Sequence, residues 1–153
     1  MLFIRRSDDL SSHPGQVAFP GGSHEPGDTD LCATALREAH EEVGLEPEVV
    51  EVLGALDDLN TVTGYHIRPY VGLVTETFFE KAQSPEVAEV FRVPLSTLLG
   101  ARPQDRDILI DGVARKFGVY LYDGHVIWGA TAAILKGFLK RLKSDESLLV
   151  SYP

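Results

Sequence analysis

The chain has 153 residues, the size of one domain with a single core. Hydrophobic residues make up 44% and charged residues 24%, a balance typical of globular proteins and not of disordered chains. Acidic residues outnumber basic ones by 23 to 14, so the net charge is −9. This charge excludes nucleic acid and anionic membranes as general partners, because both attract positive surfaces. It also repels small anions unless a local positive charge, such as a metal ion, intervenes.

A single cysteine, Cys32, rules out an intrachain disulfide and a cysteine-based zinc site. It favours a reducing compartment, and we expect a cytoplasmic location. The longest apolar run, residues 126–135, is shorter than the roughly 20 residues that span a membrane. No signal peptide is predicted, since arginines directly follow the short apolar segment at the N-terminus.

The first third of the chain predicts two strands and a helix. Residues 2–4 predict the end of a strand, and residues 16–19 a short strand that ends at Pro20-Gly21-Gly22. A helix is predicted over residues 29–43, with Asp28 or Thr29 as its N-cap and Gly44 as the residue that ends it. The predicted apolar stripe of this helix consists of Leu31, Ala35, Ala39 and Val43.

The rest of the chain is rich in predicted strands. They fall at residues 49–56, 67–75, 87–93, 116–122 and 125–128. Asp123-Gly124 separates the last two and is typical of a two-residue β-hairpin. Helices are predicted at residues 96–99 and 130–143, and the side chains expected to point inward from the second are Ala133, Ile134, Phe138 and Leu142. Helices around a mixed sheet predict an α/β or α+β fold, in one domain over residues 1–153.

Three carboxylates cluster near the end of the first long helix. At about 100° per residue, Glu38, Glu41 and Glu42 lie on one arc that borders the apolar stripe. Like charges at this spacing repel each other, and the helix dipole disfavours negative charge near its C-terminal end. Two interpretations remain open from these residues alone: a solvated acidic face, or a site for a hard divalent cation that binds oxygen ligands.

Residues 22–45 resemble the Nudix box, a Gly and a Glu followed by the pattern Arg-Glu-apolar-x-Glu-Glu-x-Gly-apolar. The second half of the box matches segment 37–45, REAHEEVGL. In the first half, Asp28 takes the place of the family's first Glu, and eight residues, not seven, separate it from Arg37. The resemblance implies a Nudix fold, in which a mixed β-sheet is packed between helices.

Further stretches resemble the coenzyme A pyrophosphatase branch of the Nudix family. They are LFIRRS at 2–7, GQVAFPGG at 15–22, LDD at 56–58, TGY at 63–65, SPEV at 84–87 and IWGAT at 127–131. The branch also tends to carry the box that is one residue longer. It expects an arginine where this chain has Ser11. Relatives usually carry an earlier strand, which leaves a truncated chain, a misassigned start or a short natural form as alternatives.

The resemblance implies hydrolysis of coenzyme A or an acyl derivative to 3′,5′-ADP and (acyl-)phosphopantetheine, with Mg²⁺ or Mn²⁺ as cofactor. It assigns Glu38 and Glu42 as first metal ligands. Glu41 is a third ligand, or the group that orients or deprotonates the attacking water. Arg37 holds a glutamate in place, and these four residues form the predicted catalytic set.

Predicted substrate contacts are Gly21 and Gly22, whose backbone approaches the phosphates, and Arg5, Arg6 and Arg68, which meet phosphate groups or are exposed structural arginines. Asp57 and Asp58 are either a further metal contact or a surface pair. Three other functions remain open: hydrolysis of ADP-ribose or a dinucleotide, a non-catalytic Nudix module that senses a nucleotide, and a metal-free interaction domain. A homodimer is one assembly that the sequence leaves open.

Overall fold

A computed structural model describes residues 1–61, 63–110 and 112–144. The helices are α1 (Leu31–Val43), α2 (Leu95–Gly100) and α3 (Gly129–Ser144), with a 3-10 turn at Pro47–Val49. The strands are β1 (Leu2–Arg6), β2 (Val17–Ala18), β3 (Val50–Ala55), β4 (Leu59–Asn60), β5 (His66–Ile67), β6 (Tyr70–Val74), β7 (Val87–Arg92), β8 (Gln104–Ile110), β9 (Val113–Tyr122) and β10 (His125–Ile127).

The central sheet has the order β2-β1-β7 and lies between the two long helices. Successive side chains of a strand point to opposite faces, so β1 contributes to both halves of the core. Phe3 packs with Leu135 of α3, and Ile4 packs with Val43 of α1. All four side chains are almost fully buried. The predicted arrangement of a sheet between helices is therefore confirmed.

A second sheet has the order β10-β9-β8, and smaller pairs join β3 to β6 and β4 to β5. All the strand pairs that the structure describes are antiparallel. The predicted α+β class is confirmed. Strand β8 was not predicted, because its first four residues, Gln-Asp-Arg-Asp, are all polar or charged and provide no apolar face. It is held instead by pairing along its whole length with β9.

The caps of α1 decide where its carboxylates lie. The N-cap is Asp30, whose Oδ1 accepts the backbone N–H of Ala33 at 2.8 Å, so the predicted cap at Asp28 or Thr29 is wrong. Asp28 is engaged elsewhere, as described below. The predicted end at Gly44 is confirmed: its N–H donates to His40, and the next residue, Leu45, is buried against the helix.

The predicted inward face of α3 is wrong in part. The buried side chains are Thr131, Ala132, Leu135 and Leu139, whereas Ala133 is exposed and Ile134, Phe138 and Leu142 are half-buried. The helix carries two neighbouring stripes at helical spacing, and periodicity does not distinguish them. The side chain of Thr131 donates a hydrogen bond to β2, and the stripe that contains Thr131 is therefore the one that faces the core. No helix of the described residues is both long and apolar enough to cross a membrane.

The hairpin between β9 and β10 provides a test of the fold. Asp123 and Gly124 have φ angles of 46° and 81°, which confirms a turn with both central residues in the left-handed region. We predict that Gly124→Ala lowers the free energy of unfolding by about 1–2 kcal/mol, because an L side chain disfavours that region. Gly100→Ala is the control, since Gly100 lacks a positive φ and both sites have open space for a methyl group. Chemical denaturation measures both, and equal effects would contradict the turn assignment.

Candidate metal and catalytic site

The site is built around the buried carboxylate of Glu42. Glu42 lies in the last turn of α1, and only 6% of its surface is exposed to solvent. Its Oε2 accepts the backbone N–H of Gly21 at 3.0 Å. Gly21 belongs to the loop after β2, so one hydrogen bond joins this loop to the helix. The loop thereby supplies a backbone donor to a carboxylate that has lost most of its water.

Burial raises the pKa of Glu42 from its ordinary value of 4.5 to about 7. The hydrogen bond from Gly21 opposes this rise, because it favours the ionised form. Negative charge on Glu38 and Glu86 raises the pKa further, and the guanidinium of Arg6 lowers it. Glu42 therefore carries a carboxylate that is costly to ionise near neutral pH, and a bound cation would relieve that cost.

Glu38 lies one helical turn before Glu42 and faces the same loop. A Cβ atom at Gly22 would overlap the Glu38 carboxylate, so any other residue here would force this carboxylate to move away from the loop. Burial raises the pKa of Glu38, and the neighbouring Arg37 opposes the rise. The two carboxylates interact with each other, since the charge of Glu38 affects the pKa of Glu42.

Arg37 connects the loop before α1 to the carboxylates on α1. Its Nε and Nη2 donate to the two carboxylate oxygens of Asp28 at 2.9 and 3.1 Å, a bidentate pair. Its Nη1 lies 3.2 Å from Glu38 and 3.3 Å from Glu41. Its Nη2 also donates to the carbonyl of Ser23 at 3.0 Å. The predicted role of Arg37, holding a glutamate in place, fits these contacts.

Asp28 occupies the position where the box departs from the family pattern. Besides Arg37, its Oδ2 accepts the hydroxyl of Thr34 and the backbone N–H of Glu25, both at 2.9 Å. These bonds hold the pKa of Asp28 well below its usual range, with the Arg37 bond as the largest cause. The shorter acid therefore ties the loop to α1 and helps to aim Arg37 at the glutamates.

Glu41 stands apart from the other two carboxylates. Its side chain is 53% exposed and pairs with Arg37. In residues 1–61, 63–110 and 112–144, no three His, Cys, Asp or Glu side chains are already grouped closely enough to hold a metal. The donor set at the loop is the pair Glu38 and Glu42. This pair fits Mg²⁺, which proteins usually bind through one or two carboxylates, with water and substrate phosphates completing the shell.

The comparison with protein families decides the identity of the fold. The family model described as "NUDIX domain" matches residues 1–111, which include the loop and all of α1. The chain belongs to the Nudix family. The chain is 42% identical over 137 residues to the "Uncharacterized Nudix hydrolase NudL" of Enterobacter sp. (strain 638), covering 89% of this chain and 71% of that protein. Nudix hydrolases generally need divalent metal ions.

Two solved structures show the same fold. The NUDIX domain of Shewanella oneidensis NrtR, solved as a complex with ADP ribose, has a TM-score of 0.55 and 17% identity. The match covers 92% of this chain and 76% of that one. A MutT protein from Methanosarcina mazei Go1 has a TM-score of 0.51 and 27% identity, over 65% of this chain and 70% of that one. The predicted Nudix fold is therefore confirmed.

The predicted substrate arginines have separate environments. Arg6 lies on the α1 side and close enough to Glu42 to affect its pKa. Its Nη2 donates to the Ser12 carbonyl at 3.3 Å, while its buried Nε has no hydrogen-bond partner in the described part of the chain. Arg5 instead pairs with Asp8 at 3.0 Å and approaches Glu89 at 3.7 Å. The Nudix carboxylates and Arg6 thus share one face, and Arg5 points to another.

Arg68 forms a separate polar cluster with Asp58. Its Nε and Nη2 donate to the two oxygens of Asp58 at 2.8 and 2.7 Å. His66 lies 2.9 Å from the same carboxylate. The Arg68 guanidinium lowers the pKa of Asp58 to about 2. Asp58 therefore has an arginine partner, and none of its contacts within residues 1–61, 63–110 and 112–144 joins it to the Nudix carboxylates.

Glu86, which lies in the SPEV stretch, is a neighbour of the site and is not among the residues predicted for it. Its charge raises the pKa of Glu42. Two features place it there: its carbonyl accepts the N–H of Ser7 at 2.8 Å, and the N–H of Gln83 donates to the Glu42 carbonyl at 3.0 Å. The SPEV stretch was the available signal, but nothing in it indicated that this segment folds over the end of α1.

The raised pKa of Glu42 predicts a stability effect with a definite sign. A carboxyl whose pKa is higher in the folded state destabilises the fold progressively as pH rises from 4.5 through about 7. We predict that Glu42→Gln, without metal, raises the free energy of unfolding near pH 8 by about 1–3 kcal/mol and changes it little near pH 4. The glutamine Oε1 still accepts the Gly21 N–H.

Glu51→Gln is the matched control, because Glu51 is exposed on β3. Denaturant unfolding of both variants and the parent chain at the two pH values measures the effect. A Glu42→Gln variant that is no more stable than the parent near pH 8 would contradict the burial cost assigned to this carboxylate.

Proposed function

We propose that this Nudix hydrolase cleaves the diphosphate of coenzyme A or an acyl derivative. The oxygen of one water bonds to phosphorus, and the bridging P–O bond breaks. The products are 3′,5′-ADP and (acyl-)phosphopantetheine, and the proton from water is released or taken up by a base. Nucleophile and substrate are both rich in negative charge, so the reaction needs local positive charge.

One observation carries the proposal for the site. The stretch GQVAFPGG at 15–22, part of the branch resemblance, ends in the two glycines that contact the box carboxylates. Gly21 donates to Glu42, and Gly22 packs against Glu38. The end of this stretch and the glutamates of the box, which lie 16 or more residues further along the chain, therefore form one site. Because GQVAFPGG is part of the resemblance to the coenzyme A branch, its place in the site supports coenzyme A or an acyl derivative as the substrate.

The side chains of α1 have different roles in metal binding and in activating the water. Glu38 and Glu42 hold the divalent cation, and Glu41 is a third ligand, or orients or deprotonates the water. A bound Mg²⁺ or Mn²⁺ supplies charge neutralisation and lowers the pKa of its water. Arg37 keeps Glu38 and Glu41 in place through its pair with Asp28.

Substrate contacts come from the loop and from the arginines. The backbone of Gly21 and Gly22 lies beside the carboxylates and is open to a phosphate. Of the three candidate substrate arginines, Arg6 is the one whose charge affects Glu42, and it is assigned to the diphosphate. Arg5 and Arg68 are assigned to outer phosphate groups such as the 3′-phosphate, and each would exchange part of its carboxylate pairing for that contact.

Hydrolysis of another nucleoside diphosphate derivative, such as ADP-ribose or a dinucleotide, is the second candidate function. The observation that favours it is Ser11, which stands where the coenzyme A branch expects an arginine. A non-catalytic module that senses a nucleotide is the third candidate. The presence of Glu38, Glu41 and Glu42 argues against it, since a sensing module does not need a complete carboxylate set. The cytoplasmic location and the homodimer also stay predictions.

Product analysis tests the proposal. The intact chain with Mg²⁺ is incubated in turn with coenzyme A, acetyl-coenzyme A, ADP-ribose and a diadenosine polyphosphate. We expect 3′,5′-ADP from the first two substrates and the highest kcat/KM for them. Glu38→Gln should lower kcat by about 100-fold or more, while Glu51→Gln should leave it unchanged.

Each outcome separates the candidates. Faster cleavage of ADP-ribose or the dinucleotide would overturn the coenzyme A proposal and keep the hydrolase. Binding of these nucleotides without any product would support the sensing module. Full activity of Glu38→Gln would contradict the assignment of Glu38 as a metal ligand.

A further inference from the structure

The stretch IWGAT at 127–131 has no role in the function proposed above, yet it contacts β2, the strand that leads into the loop with Gly21. The hydroxyl of Thr131, in the first turn of α3, donates to the carbonyl of Val17 in β2 at 3.0 Å. Thr131 is 7% exposed and Val17 is 3% exposed, so water does not compete for this bond. A side chain added at Gly129 would meet the Gln16 amide at 3.2 Å, which shows how closely the two segments approach.

Strand β2 depends on this contact because it is short and lies at the edge of its sheet. Its inner edge pairs with β1, where the Gln16 carbonyl accepts the N–H of Arg6 at 3.0 Å. Carbonyls alternate in direction along a strand, so the carbonyl of Val17 points to the opposite edge. No strand pairs there in the part of the chain that the structure describes. The Thr131 hydroxyl satisfies this buried acceptor.

The position of β2 determines the position of the metal-site loop. Only three residues separate Val17 from Gly21, and Phe19 among them stacks on Phe3 at 4.8 Å between ring centres. Gly21 then donates to Glu42. A shift of β2 is therefore transmitted over a short, packed segment to the donor that holds the Glu42 carboxylate.

We propose that Thr131 is a positioning residue for the metal site and acts through Val17 and the Gly21 N–H on Glu42. It touches neither the metal nor the substrate. The proposal rests on the assignment of Glu42 as a metal ligand under the proposed function. It also gives the IWGAT stretch a physical role, the alignment of GQVAFPGG on the box helix.

Two variants separate positioning from simple packing. Thr131→Val removes the hydroxyl at constant shape, and Thr131→Ser keeps the hydroxyl and removes the methyl group. Thr75→Val is the control, because the Thr75 hydroxyl also donates to a backbone carbonyl, that of Val49 at 3.1 Å, at an exposed position next to the end of the β3–β6 pair. Thr131→Ala removes the same hydroxyl with less bulk and replaces the valine variant if that variant does not fold.

The readout is Mn²⁺ affinity without substrate, measured from the electron paramagnetic resonance signal of free Mn²⁺. We expect Thr131→Val to weaken Mn²⁺ binding by about tenfold, as removal of groups that orient metal ligands does. Thr131→Ser and Thr75→Val should bind Mn²⁺ like the parent chain. At saturating Mn²⁺, the KM for coenzyme A should stay within about twofold while kcat falls.

Unchanged Mn²⁺ affinity in the folded Thr131→Val or Thr131→Ala variant would overturn the proposal and leave Thr131 a packing residue. Unchanged affinity in Glu42→Gln would overturn it as well, because Thr131 acts through Glu42. If the parent chain binds Mn²⁺ but does not cleave coenzyme A, the substrate proposal fails, whereas the loss of affinity in Thr131→Val still supports the positioning role.

Discussion

The hydrogen bond from the Gly21 N–H to Glu42 is the interaction on which the rest of the site depends. It joins the loop after β2 to the last turn of α1, and it does so at a carboxylate that burial has made costly to ionise. A buried carboxylate that faces a second carboxylate is energetically unfavourable, and such an arrangement is typical of a site where a cation binds. The negative net charge of the chain is therefore compatible with an anionic substrate, because a divalent ion bound here would neutralise the two negative charges of Glu38 and Glu42.

The remaining elements hold that contact from two sides. On the α1 side, Asp28 and Arg37 fix the loop before the helix to the helix itself, and Arg37 offsets part of the repulsion among the glutamates. On the α3 side, Thr131 secures β2, which carries the loop. The central sheet lies between the two helices that carry these anchor points. The buried carboxylates lower the stability of the fold, and packing in the surrounding core compensates for that loss.

Local patterns predicted much of the fold, and tertiary contacts decided the rest. The strand that became β3, the hairpin at Asp123-Gly124 and the end of α1 at Gly44 each depend on nearby residues, and all three were predicted. The buried stripe of α3 and strand β8 were not, because a contact with β2 and pairing with β9 determine them. The same division holds for the site. The arc of glutamates follows from helix geometry, whereas the partners Gly21, Asp28 and Glu86 lie in loops whose approach to α1 no local pattern describes.

Proton release on metal binding tests the central claim most directly. If the metal binds at Glu42, whose pKa is about 7, it must displace a proton from this carboxyl at neutral pH. Calorimetric titration of Mg²⁺ near pH 7, in buffers of different ionisation enthalpy, should show about half a proton released per metal ion. The release should fall toward zero near pH 9, where the Glu42 carboxyl is already ionised before the metal binds. Metal binding that releases no proton near pH 7 would contradict the assignment of Glu42 as a buried metal ligand.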